Sequence, residues 1–137
     1  MSRPQNEEFD LDWLHPDPWV RSIRELVTDM DATVPTVVVE GKRDRQGLER
    51  AGYTGTVRQC SDASGIVPFA DSLEGTPVAI LTDYDGAGRQ LNGRLRELLP
   101  ARRVDPYWRR ELGLLLTQRG RYDIEALNNV FDGGRYR

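Results

Sequence analysis

The sequence predicts an α/β fold, a mostly parallel central sheet of about four strands covered by helices on both faces. Three observations lead there. Short apolar runs, Thr36 to Glu40, Thr56 to Cys60 and Val78 to Thr82, alternate with longer stretches whose leucines, isoleucines and valines recur at helical spacing. Gly41 and Gly86 to Gly88 follow the first and third runs, where a strand must turn at once into a helix. Strands and helices taken in alternation form parallel sheets through right-handed crossovers.

Element by element, residues 1–18 carry Pro4, Pro16 and Pro18, many acids and no periodicity, so they read as a flexible N-terminal arm, with Trp13 and Leu14 docking on the body. Trp19, Ile23, Leu26, Val27 and Met30 share one helical face, and that helix stops before Pro35. After the Thr36 strand, Gly41 makes a tight turn, Asp44 is the expected N-cap, Leu48 and Ala51 face inward, and Gly52 ends a short helix. The second strand is followed by the turn-rich SDASG loop, and Pro77 leads into the third strand. The helix after Gly88 places Leu91, Leu95, Leu98 and Leu99 on one stripe up to Pro100, and Arg102 to Val104 is expected to add a short fourth strand. Asp105 before Pro106 reads as an N-cap with proline at the first helical position, followed by Trp108, Leu112, Leu115 and Leu116 up to Gly120. A last helix, Asp123 to Phe131, carries Ile124, Leu127 and Phe131, so residues 19–131 form a single domain and 132–137 a tail. The chain has no internal repeat.

Composition bounds the function. A chain of 137 residues buries a core without staples, and no apolar run approaches the ~20 residues of a membrane span. The acidic N-terminus lacks an apolar segment, so no secretion signal is read, no membrane partner is expected, and the cytoplasm is the expected location. One cysteine and one histidine exclude an internal disulfide and a zinc set, so any metal must sit on oxygen ligands. Cys60 reads as a packing residue, and His15 takes no role. Net charge is −3 but unevenly spread: residues 1–33 hold eight acids against three arginines, whereas residues 89–110 hold seven arginines against Glu97 and Asp105. That basic stretch suits a polyanionic partner, although such runs are often only solvated helix faces.

The chemistry concentrates in VVVEGKRD and ILTDYDGAG, in which two strands deliver acid at their ends. Ligands of open parallel sheets bind at the carboxyl ends of strands, where Glu40, Asp83 and Asp85 fall. If the two strands are neighbours, three carboxylates converge, and their repulsion calls for a shared proton or a hard divalent cation, Mg2+ or Mn2+. Asp83 and Asp85, two apart in extended chain, would point the same way onto one metal. Gly41, Gly86 and Gly88 leave room for a phosphate at helix N-termini. Lys42, Arg43, Asp44, Arg45 and Arg89 stand beside them in sequence, and the arginines could neutralise a phosphodiester. A lone DxD is usually a surface loop and a lone EG means little. The signal is their conjunction, strand-EGxxD-helix and strand-DxDxxG-helix about forty residues apart.

These two stretches resemble the signature motifs of the TOPRIM domain, shared by topoisomerases, bacterial-type primases, recombination-repair proteins and several nucleases. The resemblance covers roughly residues 34–105 and implies a Rossmann-like TOPRIM fold. It assigns Glu40 to the general acid/base and Asp83 and Asp85 to the metal, with Asp44 matching the last position of EGxxD. Topoisomerases and primases carry further catalytic parts, so the chain looks most like the small stand-alone TOPRIM proteins grouped with the 5S rRNA maturation endonuclease. The implied activity is Mg2+-dependent nuclease action on RNA or DNA, with a catalytically silent TOPRIM module that binds nucleic acid or a protein partner as the alternative. The DYDG stretch also resembles the opening motif of haloacid-dehalogenase-type phosphatases. That family needs a downstream lysine, whereas Lys42 is the sole lysine and precedes the motif, and EGKRD would go unexplained.

Overall fold

The computed structural model describes residues 15–73 and 75–131. The expected docking of Trp13 and Leu14 and the tail at 132–137 lie outside the described residues. Helix α1 (Pro18–Thr33) begins at a proline preceded by an acid, and the Asp17 carboxylate accepts from the Trp19 N–H at 2.9 Å. Asp17 also receives two Arg119 guanidinium nitrogens at 2.8 and 3.0 Å. The ordered body thus takes in Asp17 and Pro18, which the sequence reading placed in the arm.

Three parallel strands follow in the order β2-β1-β3: β1 (Thr36–Val39), β2 (Thr56–Gln59) and β3 (Val78–Ile80). Strand side chains alternate in direction. Val37, Val39, Ala79 and Leu81 therefore join one core with Ile23 and Val27 of α1, while Val38, Val78 and Ile80 join a second core on the opposite face. The three central valines are fully buried, each contributing about 1.5–3 kcal/mol. Helices on both faces are therefore required by β1 itself.

Helix α2 (Lys42–Arg50) lays Leu48 on the first core and ends at Gly52, whose φ of +111° suits glycine. Helix α3 (Ile66–Asp71) lays Phe69 on the second core, as does α4 (Gly86–Leu98) with Leu95. Helix α5 (Tyr107–Thr117) returns to the first core with Trp108, Leu112 and Leu116. A 3-10 turn (Ile124–Ala126) then runs into α6 (Leu127–Val130). It packs so closely on α2 that a Cβ on Gly47 would lie 3.1 Å from the Ile124 carbonyl oxygen.

The departures from the sequence reading have local causes. Asp44 is not the N-cap of α2; that position is Gly41, and Asp44 reaches back from the third helical position to accept the Gly41 N–H at 3.1 Å. β2 stops at Gln59, and Cys60 starts a 3-10 turn. The loop after it leads into α3, a helix too short to show a period and holding Pro68 in its first turn, where proline is tolerated. The expected fourth strand is a 3-10 turn (Ala101–Arg103) with one parallel bridge, Val104 to Val78. The last expected helix is split into the 3-10 turn and α6, with Asp123 capping the Ala126 N–H at 2.9 Å.

Candidate active site

β1 connects through α2 to β2 on one side, while β3 lies on the other, so the connections diverge between β1 and β3. Crevices of this kind, beyond the strand ends, are where open α/β sheets bind ligands. The β1 register aligns Val38 with Ile80, which carries Glu40 and Asp83 to the same edge. There the Glu40 Oε2 accepts the Asp83 N–H at 2.8 Å. The expectation that the two acidic strands are neighbours is met.

Asp83 is held by several elements. Its Oδ1 accepts the Ile124 N–H at 2.9 Å, and its carbonyl accepts an Arg109 guanidinium nitrogen at 2.7 Å. Below it, the Thr82 hydroxyl, fully buried, donates to the Gly88 carbonyl at 2.6 Å. Gly88 lies so close that a Cβ there would fall 2.0 Å from the Asp83 carbonyl oxygen. The first turn of α4 thus seats directly on the backbone that presents Asp83.

Burial is the main reason the Asp83 carboxyl is pushed up to about 6; Glu40, Asp44 and Asp123 add like charge, and the Ile124 hydrogen bond opposes the rise. Asp44, itself buried, is raised by the same loss of solvent and by Glu40, Glu125 and Asp123. The ion pairs among the described residues lie elsewhere: no arginine or lysine forms one with Glu40, Asp44 or Asp83, although Arg109, held at the Asp83 carbonyl, is close enough to feel the charge of Asp83 and Glu40. An acid whose folded-state pKa is raised binds its proton more tightly when folded, so stability falls as pH rises from about 4 to about 6 and stays lowered above. Asp83→Asn keeps the oxygen that accepts the Ile124 N–H and removes the charge. In chelator it is expected to melt a few degrees above wild type at pH 8, on the order of 1 kcal/mol after allowance for solvent screening, and to match it near pH 3.5. Thermal denaturation at the two pH values checks this; a variant less stable at pH 8 would contradict it.

Asp85 behaves differently from Asp83. β3 has ended at Ile80, so the two aspartates are not two apart in extended chain as expected: Asp85 is exposed and caps α4, its Oδ1 accepting the Gly88 N–H at 2.7 Å. Among the described residues, no group of three or more His, Cys, Asp or Glu side chains is placed to hold a metal ion. A Cβ on Gly86 would meet nothing within 4 Å, which leaves open space at the start of α4, whereas one on Gly41 would lie 3.8 Å from the Ser61 hydroxyl, an ordinary contact. Lys42 is exposed at the start of α2. Arg43 pairs with Glu125 at 3.3 Å, Arg45 with Glu49 at 3.3 Å and with the Gln59 Oε1 at 3.1 Å, and Arg89 donates to the Tyr84 carbonyl at 2.9 Å. Cys60 is partly buried, and burial with the nearby Glu40 raises its thiol to about 11, so it stays protonated at neutral pH, in keeping with a packing role. His15 accepts the Asp17 N–H through Nδ1 at 3.0 Å, in a local turn before α1.

Two contributors, Asp123 and Arg109, lie outside the motifs, and a third, Tyr84, lies within ILTDYDGAG but has no role in the motif reading. Asp123 adds charge beside Asp83, Arg109 steadies the Asp83 carbonyl, and Tyr84 is half-buried between α4 and α5, its hydroxyl donating to the Arg109 carbonyl at 2.8 Å. The Arg109 guanidinium stacks 4.5 Å from the centre of the Tyr84 ring. One signal was available: Gly113 interrupts the apolar face of α5, and a Cβ there would lie 2.6 Å from the Tyr84 ring.

No family model matches the chain. It is similar to UPF0292 protein PF1724 of Pyrococcus furiosus, 33% identical over 97 residues that make up 70% of this chain and 71% of that protein. UPF0292 protein MJ1624 of Methanocaldococcus jannaschii is 31% identical over 118 residues, 81% of this chain and 91% of that protein. Among solved structures, a protein from Aquifex aeolicus superposes with a TM-score of 0.60 at 25% identity, covering 77% of this chain and 94% of its own.

Proposed function

We propose that this chain, which belongs to the UPF0292 family, is a TOPRIM-type phosphodiesterase that cleaves RNA or DNA with the help of a divalent cation. The observation that carries this reading is the Glu40 and Asp83 pair, two carboxylates at the switch-point edge of a parallel sheet that take part in no ion pair among the described residues, with Arg109 bound to the Asp83 carbonyl and not to either carboxylate. The donor set suits a hard cation, since magnesium takes one or two carboxylates and fills its other positions with water and substrate oxygens. Glu40 and Asp83 would hold it, whereas Asp85 would first have to release the Gly88 N–H. Such an ion stabilises charge developing on a phosphoryl group.

The chain's own residues supply the rest. The Ile124 N–H and the Arg109 guanidinium fix Asp83 at its side chain and its carbonyl, so the carboxyl is oriented before any ligand arrives. The Asp83 N–H fixes one Glu40 oxygen, which leaves the other to take or give a proton at the edge. Lys42 and Arg43, exposed at the start of α2, and Arg89, exposed on α4, stand where a phosphodiester reaching that edge would pass.

One observation favours a second reading: without a three-acid group among the described residues, the chain could be a TOPRIM module that binds nucleic acid and leaves it intact. End-labelled structured RNA, single-stranded DNA and duplex DNA, each incubated with the protein in chelator, Mg2+ or Mn2+, separate the two. The nuclease reading expects products from at least one substrate only when metal is present, and their loss in Asp83→Asn. Binding without product on any substrate would overturn it.

A further inference from the structure

We infer that the groove between α4 and α5 is a binding track for single-stranded nucleic acid, leading to the Glu40 and Asp83 edge; the destination rests on the function proposed above, the track itself does not. The groove encloses about 670 Å³, within the ~300–1,000 Å³ of sites that take compact ligands such as a nucleotide or two. Arg89 and Arg96 of α4 form one wall, Arg109 and Arg110 of α5 the other. Four guanidinium groups therefore face one acidic neighbour, Asp105. That carboxylate is already engaged with the start of α5, accepting the Tyr107 N–H at 3.1 Å and the Trp108 indole N–H at 3.0 Å. Among the described residues Arg96 is exposed and makes no ion pair, Arg110 has an exposed contact to Glu111 at 3.4 Å and lies 5.5 Å from the centre of the Tyr107 ring, and the buried Arg109 Nε has no hydrogen-bond partner.

The same groove carries exposed apolar and aromatic surface. Leu114 is 56% exposed and Tyr122 is 53% exposed, and both line it. Arginines interleaved with an aromatic ring and a bare aliphatic side chain are what an unpaired strand uses: phosphates lie on the guanidinium groups and base faces on the ring. A duplex hides its base faces in the stack and would leave Tyr122 and Leu114 without a partner. The groove also ends beside the catalytic edge, because Tyr84, which lines it, follows Asp83, and Arg109, which lines it, holds the Asp83 carbonyl.

Fluorescence anisotropy of labelled oligo-dT, oligo-U and a duplex of equal length, with the full chain in chelator, tests this. Wild type is expected to bind the single strands at least tenfold more tightly than the duplex. The Arg96→Gln, Arg110→Gln double variant is expected to weaken single-strand binding about tenfold or more and to flatten the log–log salt slope by about 1.4, two contacts at ~0.7 each. Tyr122→Ala, an exposed change, is expected to lose about fivefold or more with the salt slope kept. Equal affinity for duplex, an affinity and slope untouched by these variants, or no binding of any of the three probes would overturn the track. Failure of the two proposals is distinguishable. Metal-dependent cleavage with binding indifferent to the groove variants removes the track alone, whereas groove-dependent binding without cleavage removes the nuclease alone.

Discussion

Gly88→Ala is expected to destabilise the protein by about 3 kcal/mol or more, lowering its melting temperature by roughly 10 °C, and to loosen the acidic edge with it. The added Cβ would fall 2.0 Å from the Asp83 carbonyl oxygen and 2.8 Å from its Cα. Both are backbone atoms, so no rotamer change relieves the overlap, and either α4 or the loop that carries Asp83 must move. Moving α4 would strain the buried Thr82 hydrogen bond to the Gly88 carbonyl and lift Leu95 from the second core. Moving the loop would pull Asp83 from the Glu40 carboxylate and the Ile124 N–H. Gly86→Ala is the matched control, because nothing lies within 4 Å of a Cβ there and its φ is not positive. That change is expected to be neutral or to stabilise by about 0.4–1 kcal/mol through the unfolded chain. Parallel thermal melts of the two variants decide it, and a Gly88→Ala protein melting with wild type would contradict the close seating.

What the sequence made legible was set by long-range burial with a short period. A run of three valines between Pro35 and Gly41 reads as a short strand covered on both sides, and β1 is buried along its whole length. The pairing of Glu40 with Asp83 followed from that reading once the two strands were taken as neighbours. The finer geometry was not legible, because it depends on contacts made by distant residues. Whether Asp85 joins Asp83 or caps α4 turns on where β3 ends, and β3 ends at Ile80. The place of Asp123 and Ile124 beside Asp83 depends on the tight packing of Ile124 on Gly47, and the bond it enables joins Ile124 to Asp83, 41 residues apart in the chain. The 89–110 arginine run was visible as charge. Only the fold divides it between a wall of α4, a wall of α5 and members outside the groove, such as Arg103, which donates to the Thr76 carbonyl at 3.2 Å.

The second large effect is expected at Glu40. Glu40→Gln keeps the shape and the oxygen that accepts the Asp83 N–H, so the edge should hold its geometry. It removes the negative charge and the ability to take up a proton. If Glu40 moves the proton, the bond-breaking step falls roughly 100-fold or more while substrate binding survives or tightens. If Glu40 chiefly holds the cation, metal affinity drops instead, and excess manganese restores part of the rate. Either result keeps the carboxylate at the centre of the chemistry. The decisive measurement is single-turnover cleavage by wild type and Glu40→Gln at saturating enzyme in Mg2+, with substrate affinity measured on the same samples. The account predicts wild-type cleavage that is at least about 100-fold slower in the variant at undiminished affinity. Equal rates in the two proteins, or no cleavage by wild type, would contradict it.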